Sequence, residues 1–360
     1  MDNNYAIIMA GGIGSRFWPI SRTSHPKQFI DILGTGKTLI QSTYDRFLKI
    51  VPKENIYIVT NEIYSNIIKE QLPDISDQQI LAEPVMRNTA PCIAYASHKI
   101  SSMNPEAAIV VAPSDHLILD QERFVQDINN SLKTVSEHDC LVTLGIKPSR
   151  PDTGYGYIQY NSQVLENDFY KVKTFTEKPN LELAKTFVQS GDFLWNAGIF
   201  VWSAKSILNA FDKHLPEINE IFKDGTPHYN SDNEQNFIQN AYYQCTNISI
   251  DYGIMEKADN VYVLPTDFGW SDLGTWASIY ALAEKDYVGN AVIPSEKVVM
   301  YDSSNCMVNV PAGKLVILQG LHDFIVVESN NTLLICPRDK EQNVKQVVAD
   351  VKSKFGTDYI

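Results

Sequence analysis

"MAGGIGSRFWPISRTSHPKQF", from Met9 to Phe29, follows directly on the short apolar run Tyr5–Ile8, where a buried strand would hand the chain to a loop. Gly11, Gly12 and Gly14 let backbone N–H groups approach an anion closely, or serve only to turn a strand tightly into a helix. Arg16, Arg22 and Lys27 shift that balance, because a bland turn has no need of three cations close together. Pro19 and Pro26 hold the path between them extended rather than helical. Preorganised cations imply an anionic ligand. Two phosphate charges about 4 Å apart repel by about 4 kcal/mol at an effective dielectric of about 20, so joining two phosphorylated reactants calls for more than one lysine. Arg16, Lys27 and a divalent metal together would suffice. Two familiar phosphate loops do not fit. The third glycine of a dinucleotide fingerprint is replaced by Phe17, although Asp31 lies at a suitable distance, and in "LGTGKT" (Leu33–Thr38) Asp31 stands where a Walker loop has its first glycine. Lys37 therefore reads as an exposed loop lysine.

Outward from this stretch, the runs "YAIIMA", "IYIVT", "QILAEP", "AAIVVAP" and "CLVTLGI" alternate with amphipathic segments such as "LIQSTYDRFLKIV" and "FVQDINNSLKTV". Short Ile/Val-rich runs separated by helical-period segments indicate parallel strands covered on both faces, an α/β doubly wound sheet. Ligands bind such sheets beyond the carboxyl ends of strands. From Gly154 to Trp202 the pattern changes to the strands "GYIQY", "YKVKTFTEKP" and "FLWNAGIFVW". From Tyr287 onward short strands alternate with turn clusters, and "NVKQVVADVKSKF" closes the chain with helical spacing. This divides the chain into residues 1–285, the α/β part, and residues 286–360, a small C-terminal all-β module with a terminal helix.

The chain has 360 residues, 44% of them hydrophobic, and a formal net charge of −13. That acidity argues against a nucleic-acid or anionic-membrane partner, since both are held by basic surfaces. Five scattered cysteines without a CxxC pair read as reduced thiols. "MDNNYAIIMAGG" lacks a basic leader, and no apolar run approaches the roughly 20 residues that span a bilayer. A soluble, cytoplasmic protein is expected.

The opening stretch resembles the signature loop of the sugar-1-phosphate nucleotidyltransferases, G-G-x-G-x-R followed by P and then P-K, and its "RFWP" and "HPKQF" are similar to those of the mannose-1-phosphate guanylyltransferases. The resemblance continues through "AEPVMRNTAP", "VAPSDH", "TGYGYIQY", "FTEKP", "WNAGIFVW", "DYGIMEK" and "GWSDLGTW", and so covers essentially the whole chain. It implies a Rossmann-like nucleotidyltransferase fold with a doubly wound mixed sheet, residues 1–285 forming the catalytic domain, and a β-helix-like C-terminal module. The implied reaction is attack of mannose 1-phosphate on GTP, with release of pyrophosphate and formation of GDP-mannose. Arg16 would stabilise the triphosphate and Lys27 the transferring phosphoryl group, with Gly11, Gly12 and Gly14 lining the nucleotide.

The remaining motifs each carry a chemical reading and a plainer one. Asp115 and Asp272 are carboxylates in loops after apolar strands; each alone suits a helix cap as well as a metal, and the resemblance implies that they share Mg²⁺ or another divalent cation. Glu83 can accept from the N–H donors of guanine, and Asn88 lies beside it, although Asn88 or Thr89 equally suits a helix N-cap. Glu177 and Lys178 suit sugar hydroxyls and a sugar phosphate, or form a surface ion pair; Gly156 leaves room for a ligand, and Asn196 offers an amide to hydroxyls. His116 reads as a structural neighbour, and the tryptophans as core or pocket wall. A homodimer is compatible with the resemblance. The competing readings are a relative using another base or sugar, and a non-catalytic subunit that senses sugar nucleotides.

Overall fold

The computed structural model describes residues 3–12, 14–166, 168–294 and 296–360, and the chain forms two compact units. The first comprises the chain up to Gly11, Thr43–Ser114 and Ile118–Trp270; the second comprises Gly12–Ser42, Asp115–Leu117 and Ser271–Ile360.

A nine-stranded sheet organises the first unit. Its strands are β1 (Asn4–Met9), β2 (Ile56–Asn61), β3 (Ile80–Glu83), β4 (Ala108–Pro113), β5 (Leu141–Ile146), β6 (Tyr157–Val164), β7 (Tyr170–Thr176), β8 (Phe193–Ser203) and β9 (Val261–Thr266). They lie in the order β3-β2-β1-β4-β8-β5-β9-β7-β6. β1, β2, β3 and β4 pair in parallel, whereas β8 runs antiparallel to β4 and β5, so the sheet is mixed as expected. Ile7 and Ile8 point to opposite faces of β1 and both are fully buried. That double burial explains why the strand reads as an unbroken apolar run. Helix α1 (Thr89–Met103) is buried over most of its length, and α2 (Gln121–Glu137) starts at Asp120, whose carboxylate accepts the Arg123 N–H at 2.9 Å.

In the second unit, β10 (Ala291–Ile293), β12 (Met307–Asn309) and β14 (Phe324–Ser329) stack in parallel, as do β11 (Val298–Tyr301) and β13 (Val316–Gln319). The registered residues Ala291, Met307 and Ile325 form one inward ladder. These stacked coils are the β-helix-like arrangement, closed by β15 (Thr332–Pro337) running antiparallel to β14. The ladder shares its core with Phe17, Leu273 and Trp276 of helix α3 (Trp276–Leu282), and Phe17 meets Trp276 edge to face at 5.2 Å. Terminal helix α4 (Val344–Phe355) packs Val344, Val347 and Val351 on Trp18. From Gly12 onward the signature loop therefore belongs to the same compact unit as the β-coils.

Candidate active site

Gly14 sets the path of the signature loop beside Lys27. Its φ of 65° lies in the left-handed region, and a Cβ there would stand 2.6 Å from the Lys27 Cβ, so only glycine fits without displacing the lysine. Arg22, one of the loop's three cations in sequence, has a structural task. Its guanidinium donates to the carbonyls of Pro19, Asp358 and Ser329 and to the side chains of Asn331 and Thr332, at 3.1–3.3 Å. The Trp18 indole likewise donates to the Tyr359 carbonyl at 2.6 Å. Lys37, as read from the sequence, is exposed, on a loop that Asp31 ties down by accepting from the N–H groups of Thr35 and Gly36.

A cavity of about 300 Å³ in this unit is lined by Gly14, Arg16, Lys27, Asp115, Asp272 and Lys345, among others. Lys27 is 4% exposed, and all three of its ammonium donors are used: on the Asp115 carboxylate at 2.8 Å, the Asp272 carbonyl at 2.8 Å and the Leu273 carbonyl at 3.1 Å. Burial alone would raise the Asp115 carboxyl, but the charges of Lys27 and His116 and the lysine's hydrogen bond hold it below its ordinary value. Asp115 is thus an anion at neutral pH. The Asp272 carboxylate accepts the Gly274 N–H at 2.9 Å, and Gly274 must lack a side chain because a Cβ would collide with it. Arg16 leaves a buried Nε without a partner among the described residues. His116, set aside in the sequence reading, also lines the cavity.

Two carboxylates on one cavity fit a hard divalent cation, which takes oxygen ligands and completes its shell with water and phosphate oxygens. Among the described residues, the one group of three acid or histidine ligand atoms within mutual reach is Glu137, His138 and Glu166, on the first unit.

The first unit gathers a different set. A Cβ on Gly156 would lie 2.5 Å from Glu177 Oε2 and 3.4 Å from the Asn196 Cβ, so these three residues share one pocket wall. Asn196 Oδ1 accepts from the Gly198 N–H at 3.0 Å and the Thr143 hydroxyl at 3.1 Å. Because a backbone N–H only donates, the amide orientation is fixed, and Asn196 Nδ2 donates to Asp251 at 2.9 Å. Asp251 is the functional candidate that the sequence reading missed. It opens a π-helical turn, Asp251–Met255, and burial, then the Glu177 charge, push its carboxyl up to about 6. Its only signal in the sequence was its place at the head of "DYGIMEK". Lys178 is exposed, pairs with Glu177 and holds a φ of 47°.

Glu83 ends β3, 5% exposed, with its Oε1 lacking a partner among the described residues. Burial raises its carboxyl to about 8 against the opposing influence of Tyr242. A Cβ on Gly11 would lie 3.9 Å from Glu83 Oε2, ordinary contact, and Gly12 has open space around it. Exposed Asn88 caps α1 by accepting the Thr89 N–H at 3.0 Å, which leaves its amide nitrogen available.

The nucleotidyl transferase profile matches residues 5–288, and that of the MannoseP isomerase/GMP-like beta-helix domain matches residues 296–351. The mannose-1-phosphate guanylyltransferase of Salmonella montevideo is 36% identical over 360 residues, covering 96% of this chain and 73% of the relative. The chain belongs to the mannose-1-phosphate guanylyltransferases, within the nucleotidyl transferase family. The alginate biosynthesis protein AlgA of Pseudomonas aeruginosa is 37% identical over 97% of this chain and 72% of its own length. A crystal structure described as mannose-1-phosphate geranyltransferase from Thermus thermophilus superposes with a TM-score of 0.87 at 29% identity, covering 97% of this chain and 99% of that one. The two matching profiles fall in turn on the residues of the mixed sheet and on those of the parallel β-coils. No described helix is long and apolar enough to cross a membrane.

Proposed function

We propose that the chain transfers the guanylyl group of GTP to mannose 1-phosphate, releasing pyrophosphate and leaving GDP-mannose. The observation that carries this reading is the convergence of Arg16, Lys27, Asp115 and Asp272 on one cavity. The attacking phosphate oxygen is already an anion at neutral pH, so positioning and charge neutralisation supply the rate rather than a general base. Arg16 binds the triphosphate. Lys27 exchanges its Asp115 partner for an oxygen of the transferring phosphoryl group. Asp115 and Asp272 would hold Mg²⁺, which supplies charge neutralisation at the phosphates when bound. Glu177, Asn196 and the Gly156 backbone bind the sugar hydroxyls, with Asp251 fixing the Asn196 amide, and Lys178 reaches the sugar phosphate. Glu83 and Asn88 serve the guanine, and Gly11, Gly12 and Gly14 admit the nucleotide to the backbone. We read residues 1–285 as the catalytic domain and 286–360 as the β module, a division supported by the ranges of the two matching profiles. A cytoplasmic location and a homodimer complete the reading; the five cysteines, all free thiols, support the former.

The reaction is tested by phosphorus NMR of the purified protein with GTP, mannose 1-phosphate and Mg²⁺. Resonances of GDP-mannose and inorganic pyrophosphate are expected in equal amounts; GDP and orthophosphate, or unchanged GTP, would contradict the proposal.

Glu83 offers a second test. Its folded value of about 8 lies above the ordinary 4.5, so the folded chain binds a proton more tightly than the unfolded one, and stability falls as pH rises across that window. Base recognition needs the carboxylate, so GTP affinity should rise with pH as Glu83 ionises. Glu83→Gln is expected to bind GTP about tenfold to a hundredfold more weakly, and to melt above the parent at pH values beyond the folded value. Fluorescence titration and thermal unfolding in parallel would check both.

A further inference from the structure

One cation of the cavity lining, Lys345, has no part in the proposed reaction. Lys345 lines the same cavity as Arg16, Lys27, Asp115 and Asp272, and it comes from α4, within the last sixteen residues of the chain. Resting on the proposed reaction, we propose that Lys345 is a further polyphosphate-binding residue, contacting the triphosphate of the nucleotide and the pyrophosphate that leaves.

Three observations carry this. Lys345 takes part in no hydrogen bond or ion pair among the described residues, whereas every donor of the Lys27 ammonium is occupied. Secondly, Lys345 stands in the first turn of α4, which continues the 3-10 turn Arg338–Asn343, and a positive charge toward that N-terminal end gains nothing from the helix dipole. The last turn, where the dipole favours cations, holds Lys352 and Lys354. Helix stability therefore gives no reason for a lysine at residue 345. The third is charge. With His116 counted as neutral, Arg16, Lys27 and Lys345 against Asp115 and Asp272 leave the cavity lining at a formal 3 − 2 = +1, and without Lys345 it would be 2 − 2 = 0. An anion-binding cavity with no net charge would depend wholly on its bound cation.

The placement is held from both sides. Val344, beside Lys345, is 1% exposed and packs with Trp18 of the signature loop. Further along, the tail returns to that loop through the Trp18–Tyr359 and Arg22–Asp358 hydrogen bonds. The loop that carries Arg16 and the helix that carries Lys345 thus have a common anchor.

The test uses the whole protein, Lys345→Ala and Lys345→Arg, with magnesium pyrophosphate binding read by calorimetry beside the KM values of both substrates. In Lys345→Ala the Kd of pyrophosphate and the KM of GTP are expected to rise about fivefold to twentyfold, the loss of one charge-assisted contact from a flexible side chain. The KM of mannose 1-phosphate should stay unchanged, and the melting temperature should hold or rise slightly. Lys345→Arg should recover most of the affinity. A purely structural lysine would instead lower the melting temperature and move both KM values together. Unchanged pyrophosphate binding in a parent-active Lys345→Ala overturns the inference and leaves the reaction standing. Weaker pyrophosphate binding by Lys345→Ala, in a protein that makes no GDP-mannose, supports the anion site and removes the proposed reaction. A parent that binds no pyrophosphate overturns both.

Discussion

Lys27→Ala is expected to lower kcat by about a hundredfold to a thousandfold, the usual cost of removing a preorganised group that acts in the transition state. The size follows from the environment. The ammonium is buried, so its field is little screened, and it replaces a hydration shell with three fixed acceptors, one of them the Asp115 carboxylate at 2.8 Å. If its contact with phosphate forms only as charge shifts in the reaction, kcat and kcat/KM should fall together while the KM values change little. Lys27→Arg should recover little, because a planar guanidinium cannot meet three acceptors that converge on one nitrogen. The substitution also removes what holds the Asp115 carboxyl below its ordinary value. A carboxyl depressed on folding contributes stability above its unfolded value that is lost as pH falls through the folded one. The variant should therefore lose stability relative to the parent at neutral pH, and the difference should narrow as the solution is acidified. Initial rates of pyrophosphate release and acid titrations followed by circular dichroism measure the two effects.

Glu234→Ala is expected to destabilise the first unit by about 3–5 kcal/mol, the cost of stranding a buried charge. Lys99 on α1 is 2% exposed, and its ammonium donates to both Glu234 oxygens at 2.7 and 2.8 Å. The same carboxylate accepts from the Tyr95 hydroxyl at 2.5 Å and from the Asn230 N–H at 2.7 Å. One truncation therefore orphans an ammonium, a phenol and an amide, each with its own desolvation cost. Replacing Lys99 and Glu234 together by apolar residues of similar volume should recover much of the loss, since the penalty comes from the unpaired partner rather than the missing attraction. Denaturant unfolding of the single and double variants distinguishes these contributions.

The parallel half of the sheet was legible because burial on both faces writes itself as unbroken Ile and Val, as in Tyr5–Ile8 before the signature loop. Gly14, Arg16 and Lys27 were legible for a related reason: close backbone approach and charge clustering are local, and both fall within one loop. What could not be read is where the chain spends those groups. Arg22 looks like Arg16 in sequence, yet its acceptors lie more than 300 residues away, at Ser329 and Asp358. Lys27 reads as a free phosphate ligand, yet its donors are taken by Asp115 and by carbonyls 245 and 246 residues on. Asp251 meets Asn196 across 55 residues from a π-helical turn, a geometry with no periodic signature. Lys345 sits in a segment whose helical spacing announces only a helix, and nothing local marks the cavity it faces. Residue type and spacing expose chemistry held within a loop; partnerships closed by tertiary contact need the fold.

Pyrophosphate release by the purified protein, with mannose 1-phosphate, Mg²⁺ and each nucleoside triphosphate in turn, decides whether the chain is a guanylyltransferase. Release with GTP, at least about tenfold faster than with ATP, UTP or dTTP as one lost base hydrogen bond would require, and its collapse in Lys27→Ala, is the predicted result. Equal release with UTP or dTTP would contradict guanine recognition. Silence with every nucleotide, from a protein that still binds GDP-mannose, would contradict the transferase itself.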